Sequence, residues 1–122
     1  MKVLLVDDNP FITDVLQRYF NTRGISCEIV NQGKQGLEEI KKQEYDVIFL
    51  DIAMPDYNGY DILSALKSEN IKDKNIVILT ASNIDRSELD NFKVVGIREV
   101  LTKPVSLYRI EEILQGIISV SS

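Results

Sequence analysis

Asp7 and Asp8 close the run KVLLVDD, Asp51 closes DVIFLD, Thr80 closes NIVILT and Lys103 closes REVLTK. Short apolar runs rich in Val, Ile and Leu read as buried strands. If the four strands are parallel, their carboxyl ends lie along one sheet edge, where open α/β sheets bind ligands. Three carboxylates, a hydroxyl and an ammonium then share one crevice. Anions this close repel unless a proton or a cation intervenes. Mg²⁺ suits the set best, since it takes hard oxygen ligands, accepts a few carboxylates and keeps several waters. A cation alone leaves Thr80 and Lys103 unexplained. A carboxylate can also act as a nucleophile and become an acyl phosphate. The phosphoryl charge would then need a metal, an ammonium and a hydroxyl donor around it. Asp51, at the sheet centre ahead of a Pro-containing loop, is the candidate nucleophile, and Asp7 and Asp8 are the candidate metal ligands.

Each residue alone has a plainer reading. An aspartate after a strand caps helices or forms turns, Thr80 alone is a strand-end hydroxyl bonded to backbone, and Lys103 before Pro104 is a solvated loop lysine. Met54-Pro55 and Gly59 are ordinary turn chemistry. The convergence carries the chemistry: four strand ends, each with what the others require.

Composition narrows the alternatives. The 122 residues include no histidine and one cysteine, Cys27, so imidazole chemistry, an internal disulfide and a zinc site are disfavoured. Cys27 lies in the apolar stretch SCEIV and reads as a small buried hydrophobe. A net charge of -5 argues against direct nucleic-acid binding. The amino terminus MKVLLV runs straight into two aspartates, which fits neither a signal peptide nor a membrane span. A cytoplasmic protein without membrane insertion is expected.

The elements that would position the site follow from periodicity. Asn9-Pro10 starts a helix with Ile12, Val15, Leu16 and Tyr19 at helical spacing and Gly24 as its stop. Ser26–Val30 reads as a strand and Gly33–Gln43 as a helix with Leu37 and Ile40 inward. Asp46–Asp51 is a strand, followed by a loop and a helix to about Glu69 with Ile62, Leu63 and Leu66 inward. Asn75–Thr80 is a strand, about Asp85–Val94 a helix and Arg98–Thr102 a strand. A last helix runs from about Val105 to Ile118, with Leu107, Ile110, Ile113, Leu114 and Ile117 at helical spacing. Five strand–helix alternations imply a parallel sheet covered on both faces. With no repeat, low-complexity tract or composition break, one domain over residues 1–122 is expected, delivering any output through its own surface.

In this order, the pair Asp7-Asp8, Asp51 followed by Met54-Pro55 and Gly59, Thr80-Ala81 and Lys103-Pro104 resemble the receiver domain of two-component response regulators. The resemblance covers roughly Lys2 to Ile118. It implies a flavodoxin-like (βα)5 fold, a doubly wound five-stranded parallel sheet of order 2-1-3-4-5, the order found in a chemotaxis receiver. It also implies roles. Asp51 would be the phosphoacceptor. Asp8 and Asp51 would ligate Mg²⁺ directly, with the Ala53 backbone carbonyl as a third ligand and Asp7 acting largely through water. Lys103 would pair with the acyl phosphate, Thr80 would move to hydrogen-bond it, and small Ala81 would leave room. The Lys103-Pro104 bond would be cis.

One position departs from the pattern. Receivers commonly carry Tyr or Phe three residues before the lysine, where this chain has Val100. In the family that ring turns inward as the threonine moves, so its absence touches the outward switch and not the phosphorylation chemistry. Ala53 and Ser82 match positions that tune acyl-phosphate lifetime, and neither can act as a general base.

The resemblance implies partners: a sensor histidine kinase or a histidine phosphotransfer protein as donor, a downstream protein as target, and a dimer that could depend on phosphorylation. The protein would signal through phosphorylation-dependent protein binding or serve as a phosphorelay intermediate. It would assist its own phosphorylation and dephosphorylation without being a multiple-turnover enzyme. A Mg²⁺-dependent phosphohydrolase usually has a second acid two residues after its nucleophile, and Ala53 stands there. A constitutive docking module is the other alternative, and Val100 gives it limited support.

Overall fold

The computed structural model describes residues 1–121. Strands β1 (Lys2–Val6), β2 (Ser26–Val30), β3 (Val47–Asp51), β4 (Ile76–Thr80) and β5 (Ile97–Thr102) form one sheet. Helices α1 (Pro10–Thr22), α2 (Gly33–Lys42), α3 (Gly59–Ser68), α4 (Arg86–Asp90) and α5 (Leu107–Ser121) connect and follow them, with a short 3-10 turn at Lys93–Val95. All strand pairs are parallel and the order is β2-β1-β3-β4-β5. This is the expected doubly wound topology.

Period-2 alternation in the strands divides the core. Val3 and Leu5 of β1 and Phe49 of β3 join Leu16 and Phe20 of α1 and Leu114 of α5 on one face. Leu4, Val6, Ile48 and Leu50 join Leu37 and Ile40 of α2 and Leu63 and Leu66 of α3 on the other. Every residue of β3 and β4 is buried, as central strands covered on both faces must be. The strand carrying Asp51 is therefore packed on both faces.

Local chemistry sets the helix starts. The Asn9 side chain accepts the Phe11 and Ile12 amides, with Pro10 in the first turn of α1. Asn58 and Asp61 exchange side-chain and backbone bonds in a capping box at α3. Gly24 takes a left-handed φ of 68° after α1.

Four details differ from the expectations. The stripe of α1 turns slightly, burying Thr13, Leu16 and Phe20 and leaving Val15 exposed. Leu107 is exposed, while Ile110, Ile113, Leu114 and Ile117 are buried. The last helix begins at Leu107 and not near Val105, because Ser106 caps it: its carbonyl and hydroxyl accept the Ile110 and Arg109 amides. Cys27 is half-buried, and burial pushes its thiol pKa up to about 11, which favours the protonated thiol.

The largest departure is α4, a helix of only five residues where a longer one was expected. Leu89 is its single buried side chain. Just beyond it, the Val94 and Val95 carbonyls are taken by the Asp73 and Lys74 amides, and Gly96 turns at φ 105° into β5. The Phe92 amide already turns to the Leu89 carbonyl in a tighter bond, and the bonds from Asp73 and Lys74 fix the 3-10 turn that follows, none of which residue periodicity reports.

Candidate functional site

The site is assembled at the carboxyl ends of β1, β3, β4 and β5. Asp7 follows β1, and its amide donates to the Val30 carbonyl at 3.1 Å, which continues the pairing with β2. Its Oδ1 accepts the Asn9 amide at 2.9 Å in an Asx turn. Asp7 is fully buried, whereas Asp8 faces solvent.

Asp51 ends β3 in register with Leu79 of β4, and the Ile52 amide donates to the Leu79 carbonyl at 3.0 Å. The loop after Asp51 then doubles back, with the Gly59 amide on the Ile52 carbonyl at 3.1 Å. A Cβ at Gly59 would stand 2.8 Å from both the Asp51 carbonyl oxygen and the Ile52 Cα, so only glycine fits this approach. Within the loop, the Ala53 amide donates to Asp51 Oδ1 at 3.2 Å.

Lys103 arrives from β5. Its amide donates to the Thr80 carbonyl at 2.7 Å, and the Lys103-Pro104 peptide is cis, as the resemblance implied. The ammonium lies 3.1 Å from Asp7 Oδ2 and 3.4 Å from Asp51 Oδ1. Thr80 is buried, but its hydroxyl does not point its hydrogen bond at a carboxylate. It donates to the Ser82 carbonyl at 2.8 Å and accepts the Ser82 amide at 3.3 Å.

Sequence reasoning thus located the residues that the fold brings together: Asp7, Asp8, Asp51 and Lys103. It did not find the two groups that hold them, the Asn9 amide on Asp7 and the close approach of Gly59. The spacing Asp7-x-Asn9-Pro10 was the available signal for the first, and for the second nothing beyond a glycine in a loop.

Burial is the largest influence on the Asp51 carboxyl and raises its pKa above the usual carboxylate range. The Ala53 amide opposes that rise, the neighbouring Asp7 charge adds to it, and Lys103 opposes it.

One ligand oxygen from each of Asp7, Asp8 and Asp51 can be chosen such that all lie within 4.8 Å of one another. Asp7 Oδ2 is buried and makes no hydrogen bond of acceptable geometry, although the Lys103 ammonium is near. An unbonded buried carboxylate oxygen beside two further carboxylates fits a hard divalent cation such as Mg²⁺. Beside the site, Phe11, Val15, Pro104 and Val105 line an apolar groove of about 420 Å³ that Asn9 and Lys103 border.

Residues 3–115 match the family described as the response regulator receiver domain. Among curated proteins, the chain is 29% identical over 121 residues to the transcriptional regulatory protein RprY of Bacteroides fragilis, covering 96% of this chain and 50% of that one. It is 29% identical over 120 residues to hybrid signal transduction histidine kinase L of Dictyostelium discoideum, covering 93% of this chain and 7% of the kinase. The chain spans about half the length, or less, of the curated relatives it matches first. Among solved structures, the receiver domain of a Francisella response regulator superposes with a TM-score of 0.83 at 29% identity, covering 99% of this chain and 98% of that one. The receiver domain of a Pseudomonas aeruginosa sensor histidine kinase, solved with magnesium coordinated in its active site cleft, gives 0.76 at 26% identity, with 97% of each chain covered.

Proposed function

This chain belongs to the response regulator receiver domain family, and on that premise we propose that Asp51 accepts a phosphoryl group from the phosphohistidine of a sensor histidine kinase or a histidine phosphotransfer protein. The observation that supports this most is the disposition of the Asp51 carboxylate. Both of its described contacts, from the Ala53 amide and the Lys103 ammonium, fall on Oδ1. The Oδ2 lone pairs are committed to neither, and Oδ2 is the attacking atom. As its bond to phosphorus forms, the donor's phosphorus–nitrogen bond breaks and the electron pair leaves on the imidazole.

Asp8 and Asp51 carboxylates, with the Ala53 carbonyl and Asp7 through water, would hold the Mg²⁺ ion. Bound there, it supplies neutralisation of charge on the transferring phosphoryl oxygens. Lys103 needs little motion to pair with the acyl phosphate, since its ammonium already stands beside both buried carboxylates. Thr80 supplies a hydroxyl donor once it leaves Ser82. The apolar groove beside Lys103 offers a protein donor a surface to cover while the phosphoryl group is delivered.

Ala53, two residues after the nucleophile, brings no acid or base for turnover, so the protein acts as a phosphoacceptor and not as a phosphohydrolase. Output follows from phosphorylation-dependent protein binding or onward phosphorelay in the cytoplasm. Incubation with a small acyl phosphate and Mg²⁺ is expected to add one phosphoryl group, and Asp51→Asn to add none. An unmodified wild-type protein under both small donor and phosphorylated kinase would contradict the reading.

A further inference from the structure

The phosphoacceptor reading leaves the outward signal without its usual aromatic carrier. Val100 is half-buried, packs on the α2/α3 side of the core, and has neither ring nor hydroxyl to relay a change. The Thr80 hydroxyl carries one proton and donates it to the Ser82 carbonyl. It cannot also donate to a phosphoryl oxygen, so its recruitment frees the Ser82 carbonyl. The loop that this bond anchors leads directly into the Asp85 cap of α4.

Helix α4 is poorly secured. A five-residue helix has no independent stability, and Leu89 is its one buried side chain. Among the described residues, three side-chain polar contacts join it to other elements, one of them the local Asp90–Lys93 pair at 3.7 Å. Tyr60 of α3 donates its hydroxyl to Glu88 at 2.9 Å, and Arg86 lies 3.6 Å from Glu99 of β5. The Tyr60–Glu88 bond is the shortest and best directed of the three. Resting on the phosphoacceptor reading, we propose that Tyr60 and Glu88 form a latch that holds α4 in its unphosphorylated position, and that loss of the Thr80–Ser82 bond on phosphorylation releases it.

A contact made only in the unphosphorylated state must weaken binding of anything that favours the phosphorylated one. Beryllofluoride with Mg²⁺, an inorganic mimic of the phosphoryl group, is therefore the probe. Tyr60→Phe removes only the hydroxyl and is expected to tighten beryllofluoride binding about threefold. Amide exchange at Arg86–Asp90 should rise in the unliganded variant to the level of the beryllofluoride-bound wild type. Glu88→Ala should do the same, and the double variant should match either single one, because the two residues act as one contact. Unaltered affinity and exchange in Tyr60→Phe, with the wild type binding the mimic normally, would overturn the latch and leave the Asp51 reading standing. Additive effects in the double variant would also overturn it. Absence of binding by the wild type would overturn both.

Discussion

Lys103 Nζ stands 3.4 Å from Asp51 Oδ1, the same oxygen that accepts the Ala53 amide at 3.2 Å. The ammonium thus sits against one oxygen of the proposed nucleophile. It also competes for the carboxylates that would hold a cation, since it lies 3.1 Å from Asp7. Contact and competition come from one side chain.

Replacing that side chain separates the two effects. Lys103→Met should strengthen Mg²⁺ binding several-fold to about tenfold, because two carboxylates lose a competing charge. The same variant should be phosphorylated about 100-fold more slowly, having lost the group that neutralises the transferring phosphoryl oxygens. Calorimetric Mg²⁺ titration and the rate of acyl-phosphate modification check the two arms. Losses in both would show that Lys103 is needed mainly to keep the site folded.

The raised Asp51 pKa, caused first by burial and then by the Asp7 charge, predicts how stability depends on pH. A carboxyl with a folded pKa above its unfolded value binds more protons in the native state over the interval between the two. Its protonation therefore favours folding below the ordinary aspartate range, and that contribution is lost as pH rises through the folded pKa. Near pH 7 the charged group opposes folding. Asp51→Asn should thus raise stability at pH 7, by about 1–2 kcal/mol, with the gain over wild type shrinking as pH falls. Thermal melts of both proteins between neutral and mildly acidic pH check this. A gain that stays constant with pH would assign the effect to packing.

Gly59→Ala tests the loop that follows Asp51. Its Cβ would press on the Asp51 carbonyl oxygen and the Ile52 Cα, both backbone atoms in a tightly packed region. A loss of about 2 kcal/mol in stability is expected, with slower phosphorylation even at temperatures where the variant is folded. Denaturant melts and modification rates provide the measurement, and a variant of wild-type stability would show that the loop yields easily.

Much of this was legible in the chain because of how parallel sheets are built. Asp7, Asp51, Thr80 and Lys103 each end a continuous apolar run, and covalent continuity alone fixes them at one edge once the strands are parallel. The side-chain details were not legible. The partner of the Thr80 hydroxyl depends on a rotamer and on the path of the Ala81–Ser82 backbone, neither of which periodicity encodes. Nor was the brevity of α4, or the bonds from the distant Asp73 and Lys74 that fix the turn after it. Val15 and Leu107 keep helical spacing but face outward, because spacing gives a stripe and not its edge.

The most direct test of the account is chemical identification of the phosphorylated atom. Wild-type protein is treated with a small acyl phosphate and Mg²⁺, then reduced with borohydride, which converts an aspartyl phosphate to homoserine, and mapped by peptide mass spectrometry. Homoserine at position 51, dependent on Mg²⁺, is the predicted result. Homoserine at Asp7 or Asp8 in place of Asp51, or at no aspartate, would contradict the assignment of Asp51 as the phosphoacceptor.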